Sequence, residues 1–104
     1  MTHQKIVPHE IEKLRNNAWI GDAVLELYAR SLVLKTAGKR DVGLKARLTS
    51  NQFLNGFNQP TRVEAEIGVL YQEKGLDAAF DHIREKIEPL FLKQEARRQR
   101  SHRP

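Results

Sequence analysis

The chain contains no cysteine. Disulfides, zinc–thiolate centres and thiol nucleophiles are therefore excluded, which agrees with a reducing cytoplasm as its compartment. No apolar run approaches the roughly 18 residues that a membrane span requires. The opening Met1-Thr2-His3-Gln4-Lys5 lacks the apolar core of a secretory signal. A cytoplasmic protein without a membrane partner is expected. Glycine-rich phosphate loops are missing, Ser31, Ser50 and Ser101 stand in no triad-like context, and His3, His9, His82 and His102 share no ligand spacing. Nucleotide hydrolysis and serine chemistry are disfavoured on those grounds. Alternating β-branched runs are missing too, so strands are not expected.

What is present suits one small helical domain. The 104 residues, 39% hydrophobic, can build a single modest core. Net charge is +5, and its placement is uneven. Residues 1–92 carry 13 basic and 12 acidic side chains, whereas residues 93–104 carry five basic ones against Glu95 alone. The chain thus divides into a near-neutral body, 1–92, and a basic tail, 93–104, expected to be flexible. Such a tail suits a polyanion, with Arg97, Arg98 and Arg100 as RNA contacts, or is simply a solvated end.

Ala, Leu, Glu, Lys and Arg dominate, and four to five helices are predicted. Pro8 suits a first helical turn, with Ile11 and Leu14 as its apolar stripe. Asn16-Asn17 is expected to loosen the chain before a long helix that runs to about Lys35 or Thr36, stopped by Gly38. A further helix is predicted from about Val42 to Phe57, with Leu44, Leu48, Phe53, Leu54 and Phe57 inward. Asn58-Gln59-Pro60 breaks it, and Thr61 is the expected N-cap of the next helix, which ends near Lys74-Gly75. Leu76 opens the last helix, which Pro89 kinks or restarts. The fold class is all-α.

One stretch carries chemistry: Ala18-Trp19-Ile20-Gly21-Asp22-Ala23-Val24-Leu25-Glu26-Leu27-Tyr28-Ala29-Arg30. Asp22 sits among residues of the kind that get buried, where a carboxylate is costly unless paired or bound to metal. Glu26 lies one turn further along the same face. The segment Arg62-Val63-Glu64-Ala65-Glu66-Ile67-Gly68-Val69-Leu70-Tyr71 repeats the arrangement with Glu64. Asp22, Glu26 and Glu64 would give three oxygen donors from two helices, suited to magnesium or manganese. The alternative has Asp22 capping a helix break after Gly21 and Glu26 paired with Arg30. Trp19, the one tryptophan, is either core or an anchor for self-association.

The first stretch resembles the signature of ribonuclease III domains, nearest to the mini-ribonuclease III branch. Val63-Glu64-Ala65-Glu66-Ile67-Gly68-Val69-Leu70-Tyr71 is similar to the family's late glutamate helix, and the likeness extends from about Leu14 to Phe91. It implies a compact helical endonuclease domain, dimerising through the signature helix, that cuts double-stranded or structured RNA, such as ribosomal RNA precursors, to 5′-phosphate and 3′-hydroxyl ends. By that likeness Asp22 and Glu64 are the catalytic, magnesium-binding acids, with manganese as a substitute. Glu26 matches an acid typical of the mini branch, and Trp19 the aromatic that packs into the partner subunit. No second RNA-binding domain is expected after Leu92. Arg40, Lys45, Arg47 and Arg62 are candidate phosphate contacts or else an ordinary charged face.

The chain departs from full-length ribonuclease III at three acidic positions, which here hold Arg15, Ala18 and Thr61; the mini branch tolerates Ala at the first of these motifs and Thr or Ser at the last. Glu66 replaces an apolar residue, and the stretch between Phe57 and Thr61 is shortened to Asn58-Gln59-Pro60. That loss favours a rival, a catalytically inactive, RNA-binding or ribosome-associated dimer of the same fold. A second rival is a plain helical protein-interaction module.

Overall fold

In the computed structural model, residues 8–101 are described, and every regular element among them is helical. Helix α1 spans Pro8–Ala37, α2 Val42–Thr49, α3 Asn51–Leu54, α4 Pro60–Lys74, α5 Leu76–His82 and α6 Glu88–Ser101. One π-helical turn, Ile83–Ile87, joins α5 to α6 without a loop. The all-α expectation holds, and no described helix is long and apolar enough to cross a membrane.

Helix α1 is one unbroken rod of 30 residues, about 45 Å long at 1.5 Å per residue. The expected loosening at Asn16-Asn17 does not occur. Asn17 instead turns its side chain to α4, where its Oδ1 accepts a hydrogen bond from Gln72 Nε2 at 3.0 Å. Packing there outweighs the weak helix propensity of two asparagines. Ala18, Gly21, Val24, Leu25, Tyr28, Ala29 and Val33 form its buried stripe, spaced as a helical face requires. Gly38 ends it as expected, with φ of 75° and its N–H on the Leu34 carbonyl.

The helix predicted over Val42–Phe57 is broken by Ser50. Its extended backbone interrupts the helix, and its hydroxyl caps α3 by accepting from Phe53 N–H at 3.1 Å. Asp41 caps α2 in the same way at Leu44 N–H. The break rotates Phe53 and Leu54 inward beside Leu48, while Phe57 stays exposed and packs its ring edge on Phe53. Helix α4 starts at Pro60 rather than after a Thr61 cap. Proline at the first position costs no hydrogen bond and presets φ, so no side-chain cap is needed. Gly75, φ 93°, ends α4 where expected.

A helix does restart at Pro89, as expected, since α6 begins at Glu88, but it follows a π turn rather than a loop. Proline cannot donate to the ladder and its ring crowds the carbonyl four residues back. The π turn just before it widens the coil, with Glu88 N–H reaching back five residues to the Ile83 carbonyl. The tail expected to be flexible is α-helical through Ser101; residues 102–104 lie outside the described range. The core gathers Leu25, Ala29, Leu48, Leu54, Ile67, Ala79, Ile83 and Phe91. Leu25, Leu54, Ile67 and Ile83 are fully buried, each contributing about 2 kcal/mol.

Candidate functional site

Helices α1 and α4 cross at two glycines. A Cβ built on Gly21 would lie 1.6 Å from the Glu64 carbonyl oxygen, and one on Gly68 would lie 1.9 Å from the Asn17 carbonyl oxygen. No other residue fits either place. Buried Ala18 and Ala65 sit three residues before each glycine and extend the small-residue seam. The backbones therefore run closer than ordinary helix packing, with axes usually 8–10 Å apart, would allow.

This close approach brings the acids together. Asp22 follows Gly21 directly, and Glu64 supplies the carbonyl against which Gly21 rests. Their carboxyls meet: Glu64 is pushed up to about 7 by burial, by a hydrogen bond to Asp22 and by the negative charge of Asp22. Glu64 therefore holds its proton more tightly than a free carboxyl does, and in its protonated form it can donate to Asp22. The helix is continuous through Gly21, which removes the reading of Asp22 as a cap.

Glu26 lies on the same helix one turn away, yet its charge is already answered. Lys45 Nζ lies 3.2 Å from its Oε2, and Arg30 Nη2 3.5 Å from its Oε1. The expected Glu26–Arg30 pair is thus present, with Lys45 added from α2. Among the described residues, no three acids or histidines gather around one point. Asp22 and Glu64 stand as a pair.

That pair suits a hard divalent cation. Two carboxylates provide oxygen donors, their mutual repulsion is what a cation relieves, and magnesium binds through one or two such groups while keeping its waters. Manganese accepts the same donors. Asp22 and Glu64 are the residues that could hold it.

Of the expected phosphate contacts, two are engaged elsewhere. Arg47 grips Glu95 with two hydrogen bonds, Nε to Oε2 at 2.7 Å and Nη2 to Oε1 at 3.0 Å, which raises its pKa. Lys45 is held by Glu26. Arg40 and Arg62 are exposed. Arg62, in the first turn of α4 and two residues from Glu64, lines two clefts, one with Lys13 and Asn17 and the other with His82 and Lys86. Lys13 and Lys86 carry no local motif, and only the fold places them on either side of Arg62. Arg97, Arg98 and Arg100 lie on α6.

Trp19 points outward, 77% exposed, and Leu27 and Leu34 of the same helix are also exposed. It is not core. On the opposite side of α1, Tyr28 is buried with its hydroxyl donating to Glu88 and Phe80 edge-on to its ring. Burial and the nearby carboxylate raise the Tyr28 pKa further, so the hydroxyl keeps its proton. In comparisons with family models, curated proteins and solved structures, none matches the chain.

Proposed function

We propose that the protein is a metal-dependent endoribonuclease of the ribonuclease III type that cuts double-stranded or structured RNA as a homodimer. One observation carries this reading: Asp22 and Glu64, on separate helices, meet where Gly21 and Gly68 let the backbones touch. Two like charges brought together, with Glu64 half-buried and Asp22 exposed, repel each other and serve the fold no packing purpose. The resemblance of both segments to the ribonuclease III signature supplies the reaction class. Ribosomal RNA maturation is the process that resemblance suggests.

Asp22 and Glu64 would hold magnesium or manganese, and Glu64 would give up its proton to do so. When bound, the cation supplies a water of lowered pKa and stabilises charge on the phosphate oxygens. Water adds to phosphorus, the bond to the 3′ oxygen breaks, and that oxygen takes up a proton, leaving 5′-phosphate and 3′-hydroxyl ends. Arg62, two residues from Glu64, is placed to meet a neighbouring phosphate, with Lys13 and Lys86 beside it. Trp19 anchors the partner subunit, because an exposed tryptophan on the same helix as the acids offers a large apolar surface without a cover.

A second reading, RNA binding without cutting, is favoured by the pairing of Glu26 with Lys45 and by the short connector at Asn58-Gln59-Pro60. One experiment separates the two. A long RNA duplex is incubated with the protein in magnesium or EDTA, beside Asp22→Asn and Glu64→Gln. Magnesium-dependent cleavage, reduced at least about 100-fold in both variants, is expected. Retention of the duplex without any cleavage would leave the second reading; neither binding nor cleavage would leave a helical protein-interaction module.

A further inference from the structure

Helix α6 sorts its side chains by charge. Phe91, Gln94, Glu95 and Arg98 face the body, lining a cleft of about 610 Å³ against α2 and α3. Phe91 is buried with its ring edge-on to Phe53, and Glu95 is locked to Arg47. Lys93, Arg97 and Arg100 follow at spacings of four and three, which puts them on one stripe about 180° from that packed face. All three are exposed. The linear sequence groups Arg97, Arg98 and Arg100, whereas the helix groups Lys93, Arg97 and Arg100 and turns Arg98 towards the cleft.

We infer that the outward face of α6 is a nucleic-acid-binding arm that takes backbone phosphates, distinct from the Asp22–Glu64 pair and independent of whether that pair cuts. Three features select this partner. The stripe presents one cation per helical turn, a regular repeat that suits a regular polyanion. Among the described residues it carries no acid: of the two carboxylates of α6, Glu88 accepts from Tyr28 and Glu95 is engaged by Arg47 on the other face. It also holds no large apolar side chain; Leu92 lies at its base. An acidic protein partner would want an aromatic or aliphatic anchor, and a membrane surface would want a hydrophobic half. Phosphate contacts need neither.

The arm is also fixed in place. Phe91 roots it in the core, and the Arg47–Glu95 bridge holds it one turn further out. Its cations therefore meet a duplex together, with less ordering cost than a loose tail would bear.

The test uses the full chain in EDTA, so that cleavage plays no part. Fluorescence anisotropy with a 20-base-pair RNA duplex is measured over a series of salt concentrations. The triple variant Lys93→Ala, Arg97→Ala, Arg100→Ala keeps the helix, since alanine is the best helix former. It should bind at least about tenfold more weakly, and the slope of log affinity against log salt should shrink by about 2–3. Lys93→Arg, Arg97→Lys, Arg100→Lys should restore both. Unaltered affinity and slope in the triple variant would overturn the inference. So would binding to anionic vesicles or polyglutamate with no binding to the duplex.

Discussion

Glu64 carries a cost that its surroundings impose. Its carboxyl, ordinarily near 4.5, is pushed up to about 7 by burial and by Asp22. The folded chain therefore binds this proton more tightly than the unfolded one. The stability it contributes is fully present below about pH 4.5 and is lost as pH rises through about 7. Glu64→Gln removes the titration while keeping a hydrogen-bonding side chain. Between pH 5 and 8 the variant should gain about 1–2 kcal/mol relative to the parent, a figure reduced for the partial exposure of the group. Urea midpoints at the two pH values read it directly, and parallel profiles would refute the upward shift of Glu64. The sequence placed Asp22 and Glu64 on apolar segments, but the burial expected of Asp22 does not occur: Asp22 is exposed and Glu64 is half-buried. Glu26 was not legible as a paired residue on both sides, because Lys45 reaches it from another helix.

At the level of elements, the crossing of α1 and α4 is what the glycines permit. Gly21→Ala or Gly68→Ala would drive a methyl into backbone that cannot rotate away. Each should cost at least about 3 kcal/mol, beyond the usual range for a misplaced methyl in a core. A fall in Tm of ten degrees or more by calorimetry is the expected readout; a change under two degrees would mean that the helices do not touch there. Helix ends marked by Gly38 and Gly75 are punctuated by residue chemistry alone and were readable, whereas the start of α4 at Pro60 was expected later, after a Thr61 cap. The Ser50 break was not, since serine is tolerated inside helices and acts here only because Phe53 and Leu54 must turn inward. Nor did the sequence reveal that Pro89 would be absorbed by a π turn. That outcome depends on Ile83 and Ile87 both being held in the core.

The whole molecule is elongated, 59 × 32 × 21 Å, with one long helix whose outer side carries Trp19, Leu27 and Leu34 in the open. A lone chain gains nothing from exposing a tryptophan beside its acid pair. Under the proposed dimer, Trp19 is covered by the partner, and Trp19→Ala should weaken association at least tenfold, about 1.4 kcal/mol or more. Sedimentation velocity at micromolar concentration checks it. A monomeric parent, or an unchanged dimer in the variant, would refute the anchor. The arm of α6 belongs to the same scale. Its outward charge stripe exists only because the body fixes which side of that helix faces in.

By itself, the order of residues determined the helical class and several helix ends, because propensity, caps and periodicity act over a few neighbouring positions. Tertiary structure alone decided which charges are spent and which stay available. Glu26, Lys45 and Arg47 found partners 19 to 48 positions away, and no local pattern encodes such distant pairings. It also decided that Glu64 is raised by Asp22, since that depends on two backbones meeting where neither glycine has a side chain to keep them apart.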